Sequence, residues 1–128
     1  MTSLKVLYVD DEADIREVAT MSLEMDPSIE VRTAGSAAEA LALLGQGDWR
    51  PDLLLLDVMM PTMDGPGLLK AIRARPAMAD IPAVFITARA HPQEQQQFLS
   101  AGAVAVIAKP FDPLSLAAEV RSVAGRAG

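Results

Sequence analysis

The stretch Leu53–Gly65, LLLLDVMMPTMDG, decides the fold. Four consecutive leucines, Leu53 to Leu56, show no polar alternation, so the strand they form presents apolar side chains to both sides. Such a strand belongs in a parallel sheet covered by helices, because an antiparallel sheet with one wet face would alternate. The run ends on a single carboxylate, Asp57, and then on a loop punctuated by Pro61 and Gly65. Pro66 suits the first position of a helix that the pattern carries to about Ala74.

Working outward, short apolar runs alternate with longer helical patterns. Leu4–Val9 (LKVLYV) reads as a buried strand. Ile15, Val18, Ala19, Ser22 and Met25 then fall on helical spacing, and Asp26-Pro27 stops that helix. Ile29–Ala34 alternates and reads as a strand at a sheet edge. Ser36, with Glu39 three residues on, has the capping-box spacing, and Gly45-Gln46-Gly47 ends the helix it opens. Beyond the leucines, Ala83–Thr87 and Val104–Ala108 are strands. Pro92–Ala101 is a polar helix with Gly102 as its cap, and Asp112-Pro113 opens a last helix striped by Leu116, Val120 and Val123. Five strand–helix repeats predict a doubly wound α/β fold with right-handed crossovers. One domain is expected over residues 1–124, with a flexible tail at 125–128 and no output domain.

Composition narrows the function. A 128-residue chain that is 51% hydrophobic buries a real core and is not disordered. Eleven basic against 17 acidic residues give a net charge of −6, which argues against direct nucleic-acid binding. The absence of cysteine excludes a disulfide scaffold, a thiolate metal site and a thiol nucleophile. No secretory signal and no apolar run of membrane-spanning length is visible, so a cytoplasmic location is expected.

The polar residues fall in a pattern. Asp10 and Asp11 follow the first strand, Asp57 the third, Thr87 the fourth and Lys109 the fifth. In an open parallel sheet these carboxyl ends share one rim, where ligands bind. Three convergent carboxylates raise one another's pKa unless a cation joins them. Mg²⁺ suits the set, because it uses one or two carboxylates, waters and a phosphate oxygen. Lys109 is a compact charge for a phosphoryl oxygen, and the Thr87 hydroxyl can donate to another. In such surroundings one carboxylate can attack phosphorus and form an acyl phosphate.

With LYVDDE, LLLLDVMMPTMDG, VFITA and IAKPFDP in this order, each after a strand, the chain resembles the receiver domains of two-component response regulators over essentially its whole length. The resemblance implies a flavodoxin-like sheet of order 2-1-3-4-5 with five helices, and Asp57 as phosphoacceptor. It implies Asp11 as a direct Mg²⁺ ligand, Asp10 as a direct or water-mediated one, and the Met59 backbone carbonyl completing the set. Thr87 would be the switch hydroxyl, Lys109 the phosphate-binding lysine, and Lys109–Pro110 a cis peptide. The implied partners are a histidine kinase or a histidine phosphotransfer protein and an unknown downstream protein, and the chain would not be a turnover enzyme.

The chain also departs from the family. The position three before the lysine, often Tyr or Phe, is Val106, and Val104 and Ala105 stand where an acidic pair is usual. The aromatic half of the coupling between phosphorylation and output is therefore missing. Ile15 and Val18, near the start of the first helix, have two readings: core packing, or an apolar docking patch for the phosphodonor rimmed by Glu12, Asp14 and Glu17.

Plainer roles exist for each residue taken singly. Asp10 or Asp11 could cap a helix, Asp57 could be a solvated strand end, Thr87 a structural hydroxyl and Lys109 a surface charge. Their joint occurrence favours the site. His91 reads as exposed and uninvolved, and Trp49 is placed at the rim opposite Asp57. Two other functions compete. A haloacid dehalogenase-like phosphatase needs its nucleophile early, with a second acid two residues on, where this chain has Met59. A receiver-like module binding partners without phosphorylation would not need the complete set of polar residues.

Overall fold

The computed structural model describes residues 3–89 and 91–127. Five parallel strands form one sheet: β1 (Leu4–Val9), β2 (Ile29–Ala34), β3 (Leu53–Asp57), β4 (Ala83–Thr87) and β5 (Ala105–Ala108), in the order β2-β1-β3-β4-β5. Five α-helices alternate with them: α1 (Ala13–Glu24), α2 (Ala37–Gly45), α3 (Gly65–Arg73), α4 (Pro92–Ser100) and α5 (Leu116–Ala127). The expected fold class, sheet order and helix number are what the structure has.

The leucine run shows why the sheet is central. Leu54 and Leu56 point into a core shared with α2 and α3, alongside Leu44, Leu68, Leu69 and Ile72. Leu53 and Leu55 point the other way, into a core shared with α1 and α5, alongside Leu23, Leu116 and Val120. All four leucines have no exposed surface, so each contributes about 1.5–3 kcal/mol of burial. The registers Val9 opposite Leu56, Asp57 opposite Ile86, and Thr87 opposite Ala108 bring the strand ends level. That levelling gathers Asp10, Asp57, Thr87 and Lys109 along one rim.

Caps set the helix starts. The Ser36 hydroxyl accepts from Glu39 N–H at 3.1 Å, and Asp64 accepts from Gly67 N–H at 2.9 Å. The structure adds a short 3₁₀ turn, Pro76–Met78, that periodicity does not reveal. It also moves boundaries. Asp112 begins a turn, its carboxylate accepting from Leu114 N–H, and the regular helix starts only at Leu116. The expected tail is not separate from that helix up to Ala127, whereas Gly128 lies outside the described residues. One glycine, Gly125, lowers helix propensity by about 1 kcal/mol but keeps its backbone N–H, so the ladder continues. Among the described residues no helix is long and apolar enough to cross a membrane.

Candidate functional site

β1 delivers Asp10 directly after Val9, with no side-chain exposure. Its backbone is fixed from two directions: its N–H donates to the Ala34 carbonyl at 3.1 Å, and its carbonyl accepts from Arg16 Nη1 at 2.7 Å. Its carboxylate is fixed as firmly. Oδ1 accepts from Glu12 N–H at 3.0 Å, and Oδ2 accepts from the Tyr8 hydroxyl at 2.9 Å. The Lys109 ammonium lies 2.9 Å from the same Oδ2.

Lys109 is the link to β3. Its Nζ stands 3.3 Å from Asp57 Oδ2 and 3.7 Å from Glu12 Oε1. Asp57 is 3% exposed, so little water reaches its carboxylate. Burial and the nearby Asp10 carboxylate push Asp57 up to about 6, from an ordinary 3.8, against the pull of Lys109 and a backbone hydrogen bond from Met59. Burial acts to lower the Lys109 ammonium, but Asp10 and Asp57 outweigh it and raise it above 10.5, so it stays charged. Burial, with Asp10 beside it, pushes the Tyr8 phenol far above its ordinary value, which keeps it a proton donor.

Thr87 ends β4 and is 1% exposed. Its Oγ1 accepts from Arg89 N–H at 3.0 Å, and its carbonyl accepts from Lys109 N–H at 2.8 Å, joining the ends of β4 and β5. Lys109–Pro110 is cis, as expected. Val106 lies opposite Phe85 in the β4–β5 register and is half-buried.

The loop after Asp57 turns back on the strand end through Gly65, whose N–H donates to the Val58 carbonyl at 3.0 Å. A Cβ at Gly65 would lie 2.7 Å from the Asp57 carbonyl oxygen, closer than a side chain can stand. Thr62, in the same loop, has φ +71°, a conformation β-branched residues avoid. The Met59 side chain is exposed.

Asp10, Asp11 and Glu12 each offer a carboxylate oxygen within 4.8 Å of the others, with Asp11 and Glu12 exposed. This all-oxygen, anionic, partly wet donor set suits a hard cation that keeps several waters, and Mg²⁺ fits it. Lys109 links Asp57 to two of these acids, Asp10 and Glu12.

Four residues at this rim escaped the sequence reading in the roles they take. Glu12 reads in the sequence only as an acid bordering the Ile15–Val18 patch, although the run DDE offers a signal. Gly65 has a signal too, since it directly precedes a helix-starting proline. Tyr8 and Arg16 have none, because a tyrosine in a strand and an arginine on a helix are ordinary there. Ile15 packs half-buried against the core shared with α5, whereas Val18 is 40% exposed. His91 is exposed at the start of α4.

Comparison with known proteins finds similarity along nearly the whole chain. A family model described as the response regulator receiver domain matches residues 6–121. The phosphate regulon transcriptional regulatory protein PhoB of Pseudomonas aeruginosa is 37% identical over 128 residues, covering 100% of this chain and 55% of that protein. The chain spans about half the length of the first curated relatives it matches. Among solved structures, the chemotaxis response regulator CheY4 of Vibrio cholerae superimposes with a TM-score of 0.84 at 34% identity, covering 95% of this chain and 99% of that one. The receiver domain of the Francisella response regulator 1452 gives 0.84 at 27% identity, covering 98% and 100%.

Proposed function

This chain belongs to the response regulator receiver domain family, and on that premise we propose that it takes a phosphoryl group onto Asp57 from a phosphohistidine donor and thereby changes its affinity for a downstream protein. Members of the family are generally not turnover enzymes. The observation that carries the reading is Lys109 Nζ placed between the carboxylates of Asp10 and Asp57, at 2.9 and 3.3 Å.

In the transfer, a carboxylate oxygen of Asp57 attacks phosphorus, the P–N bond to the donor imidazole breaks, and the imidazole leaves with the bonding pair. The lysine ammonium moves its hydrogen bonds from carboxylate to phosphoryl oxygen, and the Thr87 hydroxyl donates to another. Asp11 would hold Mg²⁺ directly, with Asp57 and the Met59 carbonyl; Asp10, both of whose oxygens are already hydrogen-bonded, would act through water. The ion would neutralise charge building on the phosphoryl oxygens. Asp57 is the nucleophile only as a carboxylate, so a cation beside it also favours the reactive form.

The phosphoryl group adds roughly −2 of charge at a rim where Thr87 and Lys109 are already coupled through their backbones. Their rearrangement biases α4, which has no buried residue and leans on the sheet through an edge-on contact of Phe98 with Phe85, centroids 5.5 Å apart. With Val106 in place of an aromatic ring, this contact is the coupling route we propose. Ile15 supports the proposed docking face from beneath, and Val18 with Met21, 64% exposed, forms its surface. A histidine kinase or phosphotransfer protein as donor and a cytoplasmic setting follow from the same reading. The chain's acidic balance supports a protein, rather than nucleic acid or membrane, as the downstream contact.

The test is incubation with a small acyl phosphate, with and without Mg²⁺, followed by intact mass. One phosphoryl group is expected, only with Mg²⁺, absent in Asp57→Asn and reduced in Lys109→Ala. Labelling that survives Asp57→Asn would overturn the reading.

A further inference from the structure

Asp10 is the most constrained group at the rim, and one of its restraints has no part in the chemistry described so far. Tyr8 lies two residues earlier on β1, so its side chain leaves the same face of the strand. It is wholly buried among the residues packed under α1 and α5, and its hydroxyl donates to Asp10 Oδ2 at 2.9 Å. That oxygen is the one that also meets Lys109, at 2.9 Å. Oδ1 is held separately by Glu12 N–H. The phenol therefore decides how the second oxygen of a buried carboxylate is shared with the lysine that also reaches Asp57.

We propose that Tyr8 is a positioning residue for the acid pair: its hydroxyl keeps Asp10 oriented toward the cation site while Lys109 turns to the phosphoryl group. This rests on the phosphoacceptor reading above. The physical reason is one of supply. A buried carboxylate oxygen needs donors, and one that loses a donor binds the remaining one harder. With Tyr8 present, Lys109 can leave Oδ2 without stranding it. Without the hydroxyl, Asp10 retains the ammonium, Asp57 loses part of its partner, and the charge presented to a cation falls. Partners that orient metal-binding groups in this way are worth roughly 10–100-fold in affinity or activity when removed.

The experiment compares the parent chain with Tyr8→Phe, which keeps the ring and its packing. Mg²⁺ binding is measured by titration calorimetry without any phosphodonor, and the phosphorylation rate by a small acyl phosphate at saturating Mg²⁺. Both are repeated in an Asp10→Asn background. We expect Tyr8→Phe to weaken Mg²⁺ binding about ten-fold and to slow phosphorylation, and to do neither once Asp10 is Asn. Equal Mg²⁺ affinity in parent and Tyr8→Phe overturns the proposal while leaving Asp57 as phosphoacceptor intact. An equal loss in both backgrounds also overturns it, by showing that the hydroxyl acts by a route that does not pass through Asp10. A parent that binds Mg²⁺ but takes no phosphoryl group sinks the phosphoacceptor reading, and the calorimetric comparison still decides the role of Tyr8. A parent that binds no Mg²⁺ at millimolar concentration overturns both.

Discussion

In the proposed transfer Asp57 attacks phosphorus as a carboxylate, yet its surroundings favour the acid. Burial and Asp10 raise it to about 6 from 3.8, so between these values the folded chain binds more protons than the unfolded one. Stability therefore falls as pH rises through that window, and the metal-free chain above pH 6 carries an unfavourable buried charge. Asp57→Asn removes that charge and is expected to stabilise the metal-free chain at pH 7.5 by about 1 kcal/mol, roughly 3–5 °C in Tm. The gain should vanish near pH 4 in thermal unfolding followed by circular dichroism. Gly65 is the other residue with a sharp consequence. Gly65→Ala would press a methyl against the Asp57 carbonyl, 2.7 Å away, costing about 1–3 kcal/mol. It should also slow phosphorylation at saturating Mg²⁺, because relief of the clash moves the backbone of the proposed phosphoacceptor. Unfolding curves and single-turnover labelling measure the two effects.

At the scale of elements, α1 separates two roles along its length. Ala19 and Leu23 are fully buried against the sheet, while Val18 and Met21 face outward. Truncating Ile15 would therefore disturb packing, whereas Val18→Glu leaves the core alone. Val18→Glu is expected to keep Tm within about 2 °C and labelling by a small acyl phosphate within two-fold. It should slow transfer from a phosphorylated histidine donor protein at least ten-fold. Equal slowing with both donors would place the effect at Asp57 instead of at a docking face. The helix α4 stands at the opposite extreme. With proline at its start, a glycine of φ +110° after its end and no buried residue, it is held mainly through Phe98. Such lightly packed elements are those that rearrangements recruit.

The molecule as a whole is polarised, with the acids, Thr87 and Lys109 at the carboxyl rim. Trp49, by contrast, lies just before β3, 5% exposed, its indole N–H donating to Glu30 Oε2 at 2.6 Å. Arg32 covers its ring at 4.7 Å. Its emission is expected to change little on phosphorylation of Asp57, and a large change in a fluorescence titration would contradict this separation of the two rims.

The same polarity explains what was legible in advance. LLLL announces a strand buried on both faces, and one polar residue after each strand marks the rim, so sheet and rim were readable from local pattern. Tyr8 was not: it occupies an apolar position of an ordinary strand, and only the two-residue pleat, which puts Asp10 on the same face, gives its hydroxyl a partner. Arg16 was hidden in the same way, since its acceptor is a backbone carbonyl, which no side-chain pattern encodes. The 3₁₀ turn at Pro76–Met78 escaped because a single turn has no period to detect.

Under the proposed function, residues 47 and 52 positions apart in the chain meet to hold a phosphoryl group. A crystal structure of the chain with Mg²⁺ and fluoroberyllate, which mimics an acyl phosphate, tests it most directly. The beryllium group is expected on an Asp57 carboxylate oxygen, with Lys109 and Thr87 each donating to a fluoride and the cation on Asp11. Fluoroberyllate absent from Asp57, or a cation bound away from the Asp10–Asp11 doublet, would contradict it.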